Sequence, residues 1–295
     1  MKAAWIFAVC AACLPAADLK IDHATVAGRD LKKMQAALEA VGVTCAYGGA
    51  HTNHATEMAL ASFPDGSYLE LMGLQAAADP HAVEQHEWSK FLTGDAGPCA
   101  WAVRAPDLAA EAQRLKAAGI AVSAPSEGGR QRPDGVRLEW KTAGIGPETR
   151  GTFFPFLIQD VTRRDLRAYP QGKPTDRDWR GVTRVVIAVK NLDNAVARFR
   201  KAYNAPAPIK QVDQDFGAQL ALVGNVPVVL AQPLASDSWL AVRLERFGEG
   251  PCAFILAGTH WNKVHTAART RWFGAEIAWA DPAALGWWLG FEKTL

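Results

Sequence analysis

Short runs of alternating apolar and polar residues, each followed by a stretch with helical spacing, set the rhythm of this chain. In Ile21-Asp22-His23-Ala24-Thr25-Val26 a strand puts His23 and Thr25 on one face and Ala24 and Val26 on the other. In Tyr68-Leu69-Glu70-Leu71 the same alternation sets Tyr68 and Glu70 opposite the two leucines. An acid beside a tyrosine, backed by leucines, reads as the wet wall of a cavity. Between these strands Leu31, Met34, Leu38 and Val41 follow the spacing of one helical face. Gly42 then stops the helix, because a left-handed backbone is cheap only for glycine.

The rhythm repeats. Asp30-Leu31 recurs as Asp107-Leu108, with Leu38 matched by Leu115 and Gly42 by Gly119. A third copy starts at Thr183-Arg184-Val185-Val186 and continues through Asn191-Leu192. A fourth starts at Gly250-Pro251-Cys252-Ala253, nearly repeating Gly97-Pro98-Cys99-Ala100. Internal repetition of this kind decides architecture. The expected fold is α+β: four βαβββ modules paired into two curved, incomplete barrels with helices outside and a cavity inside. The pairs span residues 18–160 and 181–295. The join, residues 161–180, is polar and broken by Pro and Gly, and reads as a solvated linker. Its Arg163, Arg164, Arg167, Arg177 and Arg180 are then surface groups rather than gates of a pocket.

Composition adds little against this and excludes several classes. The net charge is +2, so neither nucleic acid nor an acidic partner is called for. Lys2 followed by an apolar run over residues 3–14 reads as a secretory leader ending near residue 17, too short to span a bilayer. The expectation is a periplasmic or secreted protein with no membrane association after cleavage. Outside the leader, Cys45, Cys99 and Cys252 lack any disulfide or zinc spacing and read as small core residues. Eleven tryptophans suit packed sheets and pocket walls alike. Nothing fixes an oligomeric state.

Several motifs carry a resemblance. They are Asp22-His23, Gly48-Gly49-Ala50-His51, Tyr68-Leu69-Glu70-Leu71, Gly128-Gly129-Arg130-Gln131-Arg132-Pro133-Asp134-Gly135 with Leu138-Glu139-Trp140, and Pro155-Phe156-Leu157-Ile158. Over roughly the first half of the chain they resemble the glyoxalase-like branch of the vicinal-oxygen-chelate superfamily. Ala55-Thr56-Glu57-Met58 departs from that branch, which usually has Gly-Thr-x-Asn there. The resemblance implies metal ligands on the first and last strands of each paired module. His23 and Glu70 match two stations, and Gln159 stands where a further acid is expected. Ala100, at the fourth station, cannot ligate. His51 or His54 would have to supply another nitrogen, and a metal-bound and a metal-free cavity stay equally open.

Two functions follow. In the first, a divalent ion (Zn, Mn, Fe or Ni) on His23, Glu70 and Gln159 chelates two neighbouring oxygens of a small metabolite. It stabilises enolate-like charge, while Glu70 or His51 moves the proton. That is a lyase, isomerase or dioxygenase. In the second, a metal-free cavity binds a small molecule, as in drug-sequestering members of the superfamily. The substrate contacts in either case are Tyr68, Trp101, Trp140 and His54, with Arg130 or Arg132 beside the Pro133-Asp134-Gly135 turn clamping an anionic group. His81 and His86 follow a capped helix start at Asp79-Pro80 and read as exposed, on a helix that can cover the cavity mouth. The second pair has Arg184 at the His23 station and Val228-Val229-Leu230 in place of Tyr68-Leu69-Glu70, with Glu292 the one acid on its last strand. It reads as a packing partner or lid.

Overall fold

The computed structural model describes residues 19–259, 261, 264 and 266–294; the expected leader lies outside them. The first unit runs β1 (Ile21–Ala27), α1 (Leu31–Ala40), β2 (Ala46–Ala50), β3 (Thr56–Ser62), β4 (Tyr68–Leu74), α2 (Pro80–Gln85), α3 (Ser89–Thr93), β5 (Gly97–Arg104), α4 (Leu108–Ala117), β6 (Ser126–Gln131), β7 (Arg137–Ala143) and β8 (Phe156–Asp160). After α5 (Arg164–Ala168), the second runs β9 (Trp179–Ala188), α6 (Leu192–Tyr203), β10 (Ile209–Asp213), β11 (Ala218–Val223), β12 (Val228–Pro233), α7 (Trp239–Phe247), β13 (Gly250–Gly258), β14 (Ala268–Trp272), β15 (Ala275–Trp279), α8 (Pro282–Leu285) and β16 (Trp288–Lys293).

The two sheets share one order, β2-β3-β4-β1-β5-β8-β7-β6 and β10-β11-β12-β9-β13-β16-β15-β14. This is the expected α+β arrangement of paired modules in two curved, nearly closed barrels. Each first strand lies parallel to the last strand of its own module and antiparallel to the first strand of its mate, as β1 does with β4 and β5. The repeated Asp-Leu and Asn-Leu pairs are helix starts: Asp30, Asp107 and Asn191 each accept the backbone N–H three residues on. Gly42 and Gly119 follow the helices at φ +82° and +70°. Between β13 and β14 no α-helix lies among the described residues.

Alternation sorts the side chains as expected. Ala24, Val26, Leu69 and Leu71 pack toward the helices, in a core that continues into the second unit. There Phe153 and Phe154 meet Phe199 of α6 with ring centroids 5.2 and 5.0 Å apart. The join is not a solvated tether. Thr175 Oγ1 accepts from the Ser62 N–H at 2.8 Å, Asp176 accepts from the Thr44 N–H at 2.8 Å, and Arg167 of α5 is 2% exposed. Its polarity suits partners on the first unit. Cys45, Cys99 and Cys252 are buried and unpaired, as expected of core residues. No helix among the described residues is long and apolar enough to cross a membrane.

The second barrel is filled where the first is open. Phe216, Trp239, Trp272, Trp279 and Trp288 pack against one another with centroids 5.0–5.3 Å apart. The buried indoles keep hydrogen-bond partners: Trp272 donates to Asp213, Trp279 to Thr270 and Trp239 to the Phe216 carbonyl. Glu292 pairs with Arg184 at 3.2 Å. Phe216 touches four of these tryptophans, so Phe216→Ala is expected to cost about 3–5 kcal/mol in chemical denaturation.

Candidate functional site

The first barrel encloses a cavity of about 420 Å³ lined by His23, His51, Tyr68, Glu70, Trp88, Arg130, Trp140, Arg150, Phe156 and Arg167, among others. Strand alternation turns Tyr68 and Glu70 into it. The pairing of β1 with β5 shifts register between Ile21 and His23, leaving Asp22 without a partner on β5. Such a bulge lets adjacent side chains serve one site. Asp22 is fully buried, and its Oδ1 lies 2.7 Å from His23 Nδ1. His23 Nε2 lies 3.8 Å from Glu70 Oε2, which also accepts from the Thr25 hydroxyl at 3.1 Å. The His23 ring stacks on Tyr68 at 4.9 Å and meets the edge of Phe156 at 5.3 Å.

Asp22 holds this wall in place. Its Oδ2 accepts from Arg167 Nη2 at 2.7 Å and from Arg164 Nη1. Burial would raise its pKa. The charge of Arg167, the hydrogen bond and charge of His23, and the charge of Arg164 outweigh burial and hold it well below the usual carboxylate range. As a carboxylate Asp22 only accepts, so Nδ1 of His23 carries a proton. In the neutral ring Nε2 is then a free base facing Glu70. Arg167 also donates to Tyr68 Oη at 2.7 Å and pairs with Asp160. Burial pushes the Tyr68 phenol upward in pKa, keeping it protonated.

The opposite wall is cationic and aromatic. Arg130 of β6 is 3% exposed; it donates through Nη1 to the Gly48 carbonyl at 2.6 Å and through Nη2 to the Arg167 carbonyl at 3.1 Å. The first bond joins the edge strands β2 and β6. Arg150 pairs with Glu87 and stands 5.3 Å over the Phe156 ring. A Cβ on Gly128 would collide with the Trp140 indole, so the glycine lets that ring lie across β6. His51 binds Thr56 Oγ1 through Nδ1 at 2.8 Å. Burial lowers the pKa values of His51 and His86, the latter half-buried at the cavity rim rather than exposed.

Four expected contacts lie elsewhere. Gln159 is on the helix side of β8, accepting from the Leu108 N–H at 3.1 Å. Trp101 is fully buried on the helix side of β5 and donates to the Phe153 carbonyl. His54 is exposed, at φ +57° in its turn. Arg132 turns away from the cavity to the Leu166 carbonyl and Asp134. The residues present do not fit the metal that the resemblance implies. Thr25 pairs with Glu70 and Ala102 with Phe156, so in the second module Phe156 occupies the Glu70 station and Ala100 that of His23. Among the described residues no three His, Cys, Asp or Glu side chains converge on one point. In the second unit the register sets Val186 beside Val229, which makes Val229, rather than Leu230, the counterpart of Glu70. Arg167, expected at the surface of the join, is buried in the cavity wall, and Arg150, on the segment between β7 and β8, was not singled out by sequence.

Comparison with known proteins agrees with the architecture. A family profile described as a glyoxalase-like domain matches residues 21–203. A structure of a hypothetical protein from Staphylococcus aureus is 14% identical, covers 94% of this chain and 100% of its own, and superposes with a TM-score of 0.63. Methylmalonyl-CoA epimerase from Mycobacterium tuberculosis is 18% identical, covering 40% of this chain and 90% of its own at a TM-score of 0.36. A Streptomyces coelicolor methylmalonyl-CoA epimerase in complex with 2-nitronate-propionyl-CoA is 19% identical, covering 38% and 93% at 0.33. No curated protein matches the chain. The likeness to the first of these structures shows the fold alone.

The Asp22 cluster and the histidines give two predictions. Arg167→Met leaves Asp22 buried with one cation fewer and is expected to cost about 3–5 kcal/mol at neutral pH. Asp22 has a depressed folded pKa, so its contribution is complete above the ordinary value of 3.8 and is lost as pH falls below it. In Arg167→Met the folded pKa rises, and acid unfolding curves should be flatter in that window. His51 also has a depressed folded pKa, so stability falls as pH drops below the ordinary 6.5. Thermal unfolding against pH should show that fall, and His51→Asn should reduce it.

Proposed function

We propose that this chain, which belongs to the glyoxalase-like domain family, binds a small oxygenated metabolite in the first barrel and moves a proton on it through His23 without recruiting a metal. One observation carries the reading: Asp22 fixes the His23 tautomer so that Nε2 faces the cavity 3.8 Å from Glu70. Nε2 takes a proton from a carbon or hydroxyl of the bound molecule. Asp22 and Glu70 on either side then stabilise the imidazolium. Tyr68 and Phe156 hold the ring by stacking. An oriented base of this kind is worth about 10²–10⁴ in rate.

A second reading, binding without turnover, draws support from the broad apolar walls of Trp140 and Phe156, which suit retention of a flat ligand. Export of the chain to the periplasm is also part of the proposal. It rests on Lys2 and the apolar run over residues 3–14. Intact mass of the protein recovered from the periplasm should show a mature start near residue 18.

The test combines metal content with proton exchange. Purified protein offered Zn, Mn, Fe and Ni is expected to retain metal far below one equivalent, with no difference between the parent and His23→Ala. A near-stoichiometric metal lost in His23→Ala and Glu70→Ala would overturn the metal-independent reading. In D₂O, proton NMR of small hydroxy- and oxo-compounds should show exchange that depends on the protein and falls about 10²-fold or more in His23→Gln. Tight binding with no exchange would favour the second reading.

A further inference from the structure

We propose that the ligand of this cavity is a small organic anion whose carboxylate or phosphate sits against Arg130. The inference rests on the first barrel being the ligand site and names the class of molecule it takes. Charge balance around the cavity sets Arg130 apart. Arg150 is paired with Glu87, and Arg164 and Arg167 are paired with Asp22 and Asp160. Arg130 is the exception among the cavity-lining arginines. It is buried, and its partners among the described residues are backbone carbonyls rather than a carboxylate. Its two hydrogen bonds go to the carbonyls of Gly48 and Arg167. Those bonds fix the plane of the guanidinium and leave its charge in place.

A buried cation without a counter-charge is costly. Burial accordingly lowers the pKa of Arg130, and Glu70 only partly opposes that. A guanidinium whose plane is fixed by backbone and which still has unused N–H groups matches the forked geometry of a carboxylate or phosphate. The remaining acids do not fill this place. Glu87 belongs to Arg150, Glu70 stands with Thr25 and His23, and Glu127 is exposed. A ligand anion on Arg130 would set the rest of the molecule against Trp140 and Phe156, with its reacting atom toward His23 and Glu70.

The experiment uses the full chain and three probes of one shape: benzoate, phenyl phosphate and benzamide. Binding is read by ligand-observed NMR and calorimetry at low and high salt. At least one anion is expected to bind saturably, about tenfold or more tightly than the neutral amide, and to weaken with salt. The better of the two anions tells a carboxylate site from a phosphate site. Arg130→Met should erase the preference, and Arg130→Lys, which keeps the charge without the fork, should retain part of it. Because Arg130 also joins β2 to β6, circular dichroism checks each variant. If Arg130→Met does not fold, the selectivity of the parent and its reduction in Arg130→Lys decide. Benzamide binding as tightly as both anions, or neither anion binding at millimolar concentration, would overturn the proposal. Anion selectivity without proton exchange sinks the proton-transfer reading alone, and exchange without selectivity sinks this one alone.

Discussion

A carboxylate buried at the first strand is the constraint on which the first barrel depends. Asp22 is fully enclosed, and an unpaired charge there would be prohibitively costly. Its partners come from a segment that is distant in sequence, Arg164 and Arg167 of α5. Pairing therefore draws that helix over the end of the barrel. Once there, Arg167 orients Tyr68 and offers its carbonyl to Arg130, and Arg130 ties β2 to β6. The same carboxylate sets the tautomer of His23. One ionised group thus fixes the His23 imidazole, the aromatic ring stacked on it, the seam of the barrel and the position of a cation on the far wall.

The two barrels show how one topology serves opposite ends. Both carry the same strand order, and the parity of side chains along each strand is the same. What differs is the size of the inward residues. In the first barrel Gly128 stands inward and leaves room. In the second, five aromatic rings meet in the corresponding space. Volume on the inner face, rather than any change of backbone, separates a cavity from a core.

Much of this was legible in the sequence because strands report their faces through a period of two. That period places His23, Tyr68 and Glu70 on the inner face, and the repeats give the module count. Ala100 falls at the His23 station, so its neighbour Trp101 must face the other way, and the alternation already contained that answer. Gln159 was matched to a ligand station three residues beyond Phe156, because sequence alone does not show how β8 registers on β5. Arg150 and Arg167 also have near partners in Phe156 and Asp160, but the contacts that bring them to the site, to Glu87, Asp22 and Tyr68, span more than sixty residues. The His54 turn gave no sign of its direction, which is set by its left-handed backbone.

The aromatic filling of the second barrel also governs what light can report. Seven of the eleven tryptophans lie at or beyond Trp179. Several of them are fully enclosed, with ring centroids about 5 Å apart. By number of indoles, a tryptophan signal from the whole protein samples the aromatic-filled barrel more than the first one. Trp88 and Trp140, which line the cavity of the first barrel, are only two of the eleven.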